Sequence, residues 1–195
     1  MSYLIVSSSP RDASQSAKVA QYLQQQLGSS AEHLELVQLN LPFWDGSDEA
    51  IAKPQWQQIK HKLKHAQGYI FITPEWNGIA SPLLKNFLMM CDAQECAHKP
   101  TLLVSVVSGI SGVHPINELK MNAFKNSRML VLPDYLVIRH CEDALNHPKP
   151  QSSQDARTRS RIEYCLHLFK QYCQMLDHNK HRLSHPLAND FPYNP

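Results

Sequence analysis

Short apolar segments alternate along the chain with segments in which hydrophobic residues recur every three or four positions. The apolar or alternating segments predict strands, and they are residues 3–8, 33–39, 69–72, 101–107 and 135–139. The three-to-four-residue spacing predicts helices, and it covers residues 14–27, 54–67, 82–91, 115–128 and 153–176. Gly28 follows the first helix where helices commonly end, and Pro54 and Pro82 occupy positions that open helices.

Strict alternation of strands and helices predicts the fold class. Strands with nearly continuous apolar sequence are typical of parallel sheets that helices cover on both faces. We therefore expect an α/β protein, a flavodoxin-like three-layer α/β/α sandwich whose five-stranded parallel sheet has the order 2-1-3-4-5. Residues 1–178 are predicted to form this domain. Residues 179–195 have no hydrophobic period and contain three prolines, which predicts a C-terminal tail or an arm on a neighbouring subunit.

Charge and hydropathy argue against two classes of partner. Nineteen Lys and Arg residues stand against 17 Asp and Glu residues, and the net charge of +2 comes without any long basic run. This pattern does not indicate nucleic-acid binding. No apolar run approaches the roughly 18 residues that a membrane span needs, and residues 3–6 are too short for the core of a signal peptide. We expect a cytoplasmic protein.

The familiar phosphate and metal motifs are also missing from the sequence. The six glycines form neither G-x-G-x-x-G nor G-x-x-x-x-G-K-[ST]. The five cysteines form no C-x-x-C, which favours free and mostly buried thiols. His181 and His185 have a spacing that suits metal ligands on one helix face, but Pro186 breaks the pattern, so we expect no metal site.

The predicted topology indicates where a ligand would bind. In sheets of this order, ligands lie beyond the carboxyl ends of the strands, where the strand order reverses. The loops in question follow the first, third and fourth strands and cover residues 7–16, 73–81 and 105–115. The first of them is rich in serine, carries Arg11 and leads into a helix. Hydroxyl groups, a cation and helix N–H groups can together hold a phosphate monoester.

The second loop carries the most specific motif. Residues 73–78 read TPEWNG and residues 81–86 read SPLLKN. This sequence resembles the NADPH-dependent FMN reductase family, which has T-P-E-Y-N-G after its third strand and then a proline and L-K-N. Trp76 replaces the tyrosine. The first loop resembles the family's G-S-x-R-x-x-S with Ser8 in place of the glycine, and the loop at 108–112 resembles S-x-G-x-x-G-G in part, with Val113 where a further glycine is expected.

The resemblance covers about residues 1–176 and implies an FMN site. Its expected members form a phosphate cradle, a loop beside the isoalloxazine and an opposite wall. The cradle is Ser9, Arg11, Ser14 and Ser16; the loop is Pro74, Glu75, Trp76, Asn77 and Gly78; the wall is Ser108, Gly109 and Gly112. The chemistry requires no acid–base side chain, and we assign no catalytic residue.

The resemblance also implies an activity. We expect an FMN-dependent enzyme that takes electrons from NADPH or NADH and passes them to a small acceptor such as a quinone, free flavin or azo compound. A homodimer or homotetramer is expected. One alternative is a flavodoxin-like FMN-binding or electron-carrier protein with little or no reductase turnover, although the slightly basic composition speaks against a carrier. Another is a relative that retains the fold but has lost FMN.

Overall fold

The computed structural model describes residues 2–183 and contains one parallel sheet. Its strands are β1 (Tyr3–Ser7), β2 (Ala31–Glu35), β3 (Gly68–Pro74), β4 (Pro100–Val106) and β5 (Leu130–Ile138). They pair in the order β2-β1-β3-β4-β5, and every pairing is parallel. The predicted flavodoxin-like arrangement is confirmed.

Helices cover both faces of the sheet. They are α1 (Gln15–Leu27), α2 (Asp48–Ala52), α3 (Pro54–His65), α4 (Pro82–Met90), α5 (Ala93–Cys96), α6 (His114–Asn122) and α7 (Ser153–Asn179). Helices α1 and α7 pack on one face, whereas α3, α4 and α6 pack on the other. No helix within residues 2–183 is long and apolar enough to span a membrane.

The central strands are apolar because both of their faces are buried. In β3, Tyr69 and Phe71 belong to the core beneath α3 and α4, whereas Ile70 and Ile72 belong to the core beneath α1 and α7. All four side chains are completely buried. A strand between two helical layers cannot show polar alternation, and this explains the continuous runs in the sequence.

Several predicted boundaries differ from the structure. The predicted strand over 33–39 is wrong in its second half, because the strand ends at Glu35 and residues Leu36–Leu39 form a 3-10 turn. This strand lies at the edge of the sheet and pairs only with β1, whose last paired residue is Ser7 opposite Glu35. Beyond that point the backbone has no ladder partner, so the chain turns.

Other differences concern helix ends and short helices. Helix α6 ends at Asn122 and not near 128, while α2 and α5 were not predicted because four or five residues are too short for a helical period. Helix α7 extends to Asn179 and continues into a 3-10 turn at Lys180–Leu183. The predicted tail thus begins inside regular structure. Its remaining residues, 184–195, lie outside the described residues, so the domain boundary stays a prediction.

Candidate functional site at the carboxyl edge of the sheet

A cavity of about 360 Å³ lies where the loops after β1, β3, β4 and β5 meet. Nine of the predicted site residues line it, and they are Ser9, Arg11, Ser14, Ser16, Pro74, Glu75, Trp76, Ser108 and Gly109. The other three, Asn77, Gly78 and Gly112, do not line it. The carboxyl ends of parallel strands meet at one edge of a sheet, and the strand order reverses at β1 and β3, so the cavity lies at the expected position.

The loop after β1 supplies hydroxyl groups and a helix N-terminus. Ser14 caps α1, and its Oγ accepts a hydrogen bond from Ala17 N at 3.1 Å. The first intrahelical bond runs from Lys18 N to Ser14 O, so the N–H groups of Gln15 and Ser16 precede the helical ladder. Ser9 is buried, and its Oγ accepts a hydrogen bond from Arg11 N at 3.2 Å. This end of the cavity is therefore suited to an anion.

The loop after β3 forms a tight turn beside the cavity. Ile79 N donates to Trp76 O at 3.0 Å, and the two residues between them have positive φ angles of 50° at Asn77 and 72° at Gly78. An Asn-Gly pair with positive φ at both central positions is the preferred sequence of a type I′ turn. Asn77 and Gly78 therefore turn the loop, whereas Pro74, Glu75 and Trp76 line the cavity.

Glu75 is a buried carboxylate in the loop that is expected to lie beside the isoalloxazine ring. It is 9% exposed, and its backbone N–H donates to Val106 O at 3.0 Å. The Ser111 hydroxyl donates to Glu75 Oε2, while Oε1 is buried without a hydrogen-bond partner among residues 2–183. Arg139 holds the same loop, because its Nε donates to Ser111 O at 2.8 Å. The carboxylate is thus fixed with one acceptor oxygen left unpaired.

Trp76 and Arg11 connect the first two loops across the cavity. The Arg11 guanidinium carbon lies 4.7 Å from the centroid of the Trp76 ring, which is a cation–π distance. Trp76 remains 41% exposed. An aromatic plane and a cation therefore lie together at the mouth of the cavity.

The family model described as NADPH-dependent FMN reductase matches residues 1–143 of this chain. The chain belongs to the NADPH-dependent FMN reductase family. The recognition made on the TPEWNG and SPLLKN segments is thereby confirmed, and the matched residues include all four loops of the cavity up to Asp143.

Curated relatives in the family carry reductase names. The chain is 28% identical over 120 residues to an NADPH azoreductase of Bacillus sp. (strain OY1-2), a match that covers 61% of this chain and 66% of the relative. It is 31% identical over 117 residues to a quinone reductase of Pseudomonas putida, covering 57% of this chain and 62% of the relative. The matches thus span slightly less than two thirds of the length of both relatives.

Two solved structures of similar fold carry the names of oxidoreductases. The flavoenzyme NAD(P)H:(acceptor) oxidoreductase FerB from Paracoccus denitrificans aligns with a TM-score of 0.71 and 17% identity, covering 89% of this chain and 97% of that one. An NADH:FMN oxidoreductase called EMOB aligns with a TM-score of 0.63 and 17% identity, covering 84% and 87%. At this level of identity these structures support the flavodoxin-like fold.

The replacement of the family's first-loop glycine by Ser8 does not fill the cavity. The Ser8 side chain is completely buried, and its Oγ donates to Ile72 O at 2.8 Å. The Ser81 hydroxyl in turn donates to Ser8 O at 2.5 Å. Ser8 therefore links the first loop to β3 and to the start of α4 through hydrogen bonds in the protein interior. Its hydroxyl stabilises the loop that carries Ser9.

The fourth-strand loop of this FMN reductase-family chain uses its glycines for two different purposes. Gly109 lines the cavity, and a Cβ placed there would meet nothing within 4 Å. Gly112 has φ +102°, and its Cβ would lie 2.3 Å from Val137 Cγ1 and 3.1 Å from Val107 Cγ1. Gly112 is thus required by packing against β5. Val113 precedes α6 and does not line the cavity.

Sequence reasoning missed part of the cavity wall. Cys141 and Glu142 line it from the loop after β5, and Asp12 and Gln15 line it from the first loop. The predicted topology could have indicated that the loop after β5 takes part, because β5 is parallel to β4 and its carboxyl end therefore reaches the same edge of the sheet.

A lysine from α1 fixes the loop after β5 in place. Lys18 Nζ donates to Cys141 O at 2.6 Å, to Ala144 O at 2.9 Å and to Asn146 Oδ1 at 2.7 Å. Burial lowers the pKa of Lys18, partly opposed by nearby acidic groups and Cys141. Sequence could not indicate this contact, because more than 120 residues separate the partners.

Metal-binding clusters are not found in the part of the chain that the structure describes. No group of three or more His, Cys, Asp or Glu side chains within residues 2–183 could hold a metal ion. His181 lies in the 3-10 turn after α7, and His185 lies outside the described residues. All five cysteines are free and buried.

Proposed function

We propose that this protein is an FMN-dependent NAD(P)H oxidoreductase that passes electrons from a nicotinamide cofactor through bound FMN to a small acceptor. Family membership supports this assignment. The observation that carries it is the cavity itself, which has an anion-suited end at the start of α1 and buried acceptor oxygens that lack hydrogen-bond partners among the described residues. FMN offers a phosphate for the first feature and hydrogen-bond donors for the second.

The phosphate end fits the hydroxyl groups and the helix N-terminus. Ser9, Ser14 and Ser16 contribute hydroxyl groups that can donate to phosphate oxygens, and Arg11 contributes a guanidinium at the rim. The first-turn N–H groups of α1 add donors and the positive end of the helix dipole. We therefore propose that these residues hold the FMN phosphate without a glycine-rich loop.

Two unpartnered oxygens fit the rest of the cofactor. Gln15 Oε1 and Glu75 Oε1 are both buried without partners among the described residues, and both residues line the cavity. FMN carries ribityl hydroxyl groups and one ring N–H, all of which are donors. A buried acceptor without a partner costs about 1–3 kcal/mol, which a matching donor on the ligand would recover. We propose that Gln15 accepts from the ribityl chain and Glu75 from the ring.

Bound FMN would supply the hydride and electron transfer, and the protein positions it and excludes water. Pro74, Glu75 and Trp76 would lie along one side of the ring, with Ser108 and Gly109 opposite. Asn77, Gly78 and Gly112 shape these loops from outside the cavity. No side chain is assigned to proton transfer, and the Glu75 carboxylate is assigned to hydrogen bonding.

The class of acceptor is proposed from the relatives. The curated relatives are named NADPH azoreductase and quinone reductase, which supports azo compounds and quinones as acceptors, with free flavin a third. Trp76 offers an exposed aromatic plane at the cavity mouth, where a flat acceptor or a nicotinamide ring can stack.

We also propose a cytoplasmic homodimer or homotetramer. Its support is the presence of exposed apolar side chains in the loops that follow β3 and β4, where Ile79 is 45% exposed and Ile110 is 79% exposed. Light scattering at micromolar concentration tests this proposal, and a monomer would contradict it.

The assignment is tested first by cofactor binding. FMN added to purified protein should shift the visible flavin spectrum and raise the melting temperature, because a ligand that binds the folded state stabilises it. If saturating FMN changes neither quantity, the assignment fails. NADPH should then bleach the bound flavin under anaerobic conditions, and a quinone should restore its colour. Stable colour under excess NADPH and NADH would instead indicate an FMN-binding or electron-carrier protein.

A further inference from the structure

A half-buried lysine on α1 has no role in the function proposed above. Lys18 does not line the cavity at the carboxyl edge of the sheet. Its ammonium group reaches instead to the loop that joins β5 to α7. Its three N–H donors are used there, on Cys141 O at 2.6 Å, Ala144 O at 2.9 Å and Asn146 Oδ1 at 2.7 Å. Each of these partners is an uncharged oxygen.

Packing alone is a weak reason to place a cation at this position. Removing a charge from water is costly, and hydrogen bonds to uncharged oxygens recover only part of the cost. Burial accordingly lowers the pKa of Lys18, although Cys141 and nearby carboxylates oppose the shift. The net gain in stability is therefore small, and a role in holding the loop at a defined position accounts better for the cation.

The loop that Lys18 holds forms part of the cavity wall. Cys141 and Glu142 both line the cavity, and Cys141 N donates to Val107 O at 3.3 Å. The Ser108 hydroxyl lies 3.9 Å from Cys141 Sγ and donates to Glu142 Oε1 at 3.4 Å. Because Ser108 belongs to the wall that is expected to face the isoalloxazine, the position of Cys141 affects the shape of that wall.

Helix α7 holds the later part of the same loop without help from Lys18. The Asp155 carboxylate, which is 5% exposed, accepts a hydrogen bond from Leu145 N at 3.0 Å. Arg159 donates to His147 O at 2.7 Å. The part next to the cavity is therefore the part whose position depends on Lys18.

The first turn of α1 serves both sides of the cavity. Ser14 and Ser16 line it at the proposed phosphate end. Lys18 N donates to Ser14 O at 3.0 Å, so the ammonium group projects from the turn that presents these hydroxyl groups. Helix α1 thereby relates the position of the phosphate end to that of the opposite wall.

We propose that Lys18 is a positioning residue for the cavity wall: it holds Cys141 and Glu142, and through them the wall at Ser108, at a fixed distance from the phosphate end. It acts through the loop and not by contact with the cofactor. Its effect on FMN rests on the proposed function, whereas its effect on the loop does not.

Lys18→Met tests the effect on FMN, because methionine retains an apolar stem but cannot donate a hydrogen bond. FMN should bind at least fivefold more weakly, and the visible circular dichroism of the flavin in saturated protein should change. A loss of stability alone would not change the spectrum of folded, saturated protein. Lys120→Met is the matched control, since Lys120 Nζ donates to Pro133 O on β5 at 2.8 Å and does not line the cavity. It should leave the spectrum unchanged and FMN affinity within twofold.

Salt separates position from charge. A lysine charge also attracts a phosphate group at a distance, but this attraction is screened, because the Debye length falls from about 10 Å at 0.1 M salt to about 3 Å at 1 M. The fivefold weakening by Lys18→Met should persist in 1 M potassium chloride. A weakening that shrinks to less than twofold at that concentration would indicate simple charge attraction and would overturn the proposal.

Hydrogen exchange tests the loop in full-length protein without cofactor. The N–H groups of Cys141, Asp143 and Ala144 are all hydrogen-bonded, and Lys18→Met should speed their exchange at least fivefold relative to Lys120→Met. Exchange within residues 147–151 should stay within twofold. Equal exchange in the two variants, or equal FMN affinity, would overturn the proposal. If FMN does not bind the parent protein while exchange responds as expected, the FMN assignment fails and the role of Lys18 in holding the wall is supported.

Discussion

Gly112→Ala and Gly109→Ala place the same methyl group at two positions of one loop. Comparing the two variants separates the effect of a glycine on packing from its effect on cofactor binding. The alanine Cβ at position 112 would lie 2.3 Å from Val137 Cγ1, a distance that real Cβ atoms essentially never show, and the backbone there has φ +102°. At position 109 the same methyl group meets nothing within 4 Å, and the backbone is not in the left-handed region. The two substitutions therefore differ in strain while sharing chemistry and location.

The magnitude follows from two contributions. Forcing a methyl group into a packed contact costs about 1–3 kcal/mol. A side chain in an unfavourable backbone region costs about 1–3 kcal/mol more. Gly112→Ala should thus lower the free energy of unfolding by about 2–6 kcal/mol, or the melting temperature by about 4–24 °C for a chain of this size. Gly109→Ala should stay within about 0.5 kcal/mol of the parent protein.

Urea unfolding followed by far-UV circular dichroism measures both values without cofactor. An unfolding free energy for Gly112→Ala within about 0.5 kcal/mol of that for Gly109→Ala would refute the packing argument. FMN titration of the folded variants adds a second measurement. Gly109 lines the cavity, so its alanine variant should change FMN affinity more than stability.

Three further predictions concern other residues. Ser8→Gly should lower the unfolding free energy by about 1–2 kcal/mol, because the hydrogen bond from Ser8 Oγ to Ile72 O is lost and glycine adds backbone freedom in the unfolded chain. FMN affinity should stay within twofold, and a larger loss in a titration would contradict the assignment of Ser8 to loop stability alone. Glu75→Ala should weaken FMN binding about tenfold, because a charge-assisted acceptor is lost. Glu75→Gln retains an acceptor oxygen and should weaken binding less. If fluorescence titration gives the two variants the same FMN affinity, Glu75 does not have this role. Burial lowers the pKa of Lys99 from its ordinary 10.5 to about 8, so between these pH values the unfolded chain binds more protons than the folded chain. The unfolding free energy of the parent protein, relative to that of Lys99→Met, should therefore rise with pH across about 8–10.5. Urea unfolding at both ends of this range measures the difference, and a difference that does not change with pH would contradict the prediction.

The fold could be predicted because its determinants are local and repetitive. Segments such as 69–72 are apolar on every residue because two helical layers cover them, and this pattern leaves few alternatives to a parallel sheet. The turn at Asn77 and Gly78 can likewise be inferred from sequence, because turns with two positive φ angles strongly favour this dipeptide.

Parts of the candidate site could not be read in this way. Gly112 was predicted to line the cavity, but whether a glycine faces a ligand or a neighbouring strand depends on the position of Val137, which lies 25 residues further along the chain. Gln15 belongs to no recognisable motif. Only the tertiary structure shows that it lines the cavity and that its Oε1 is buried without a hydrogen-bond partner among residues 2–183.

The sequence by itself determined the alternation of the five strands with the five longer helices, because hydrophobic period and short turn motifs are properties of neighbouring residues. The strand order and the loops at which a ligand would bind followed from that alternation. The tertiary structure decided which atoms face the cavity, and it showed that Ser8 points into the protein and that Lys18 holds the loop after β5. It also revealed a second cavity beside α3, α4 and α5, whose walls come from segments far apart in the chain. Contacts of this kind depend on how helices pack across the sheet, and no local pattern records them.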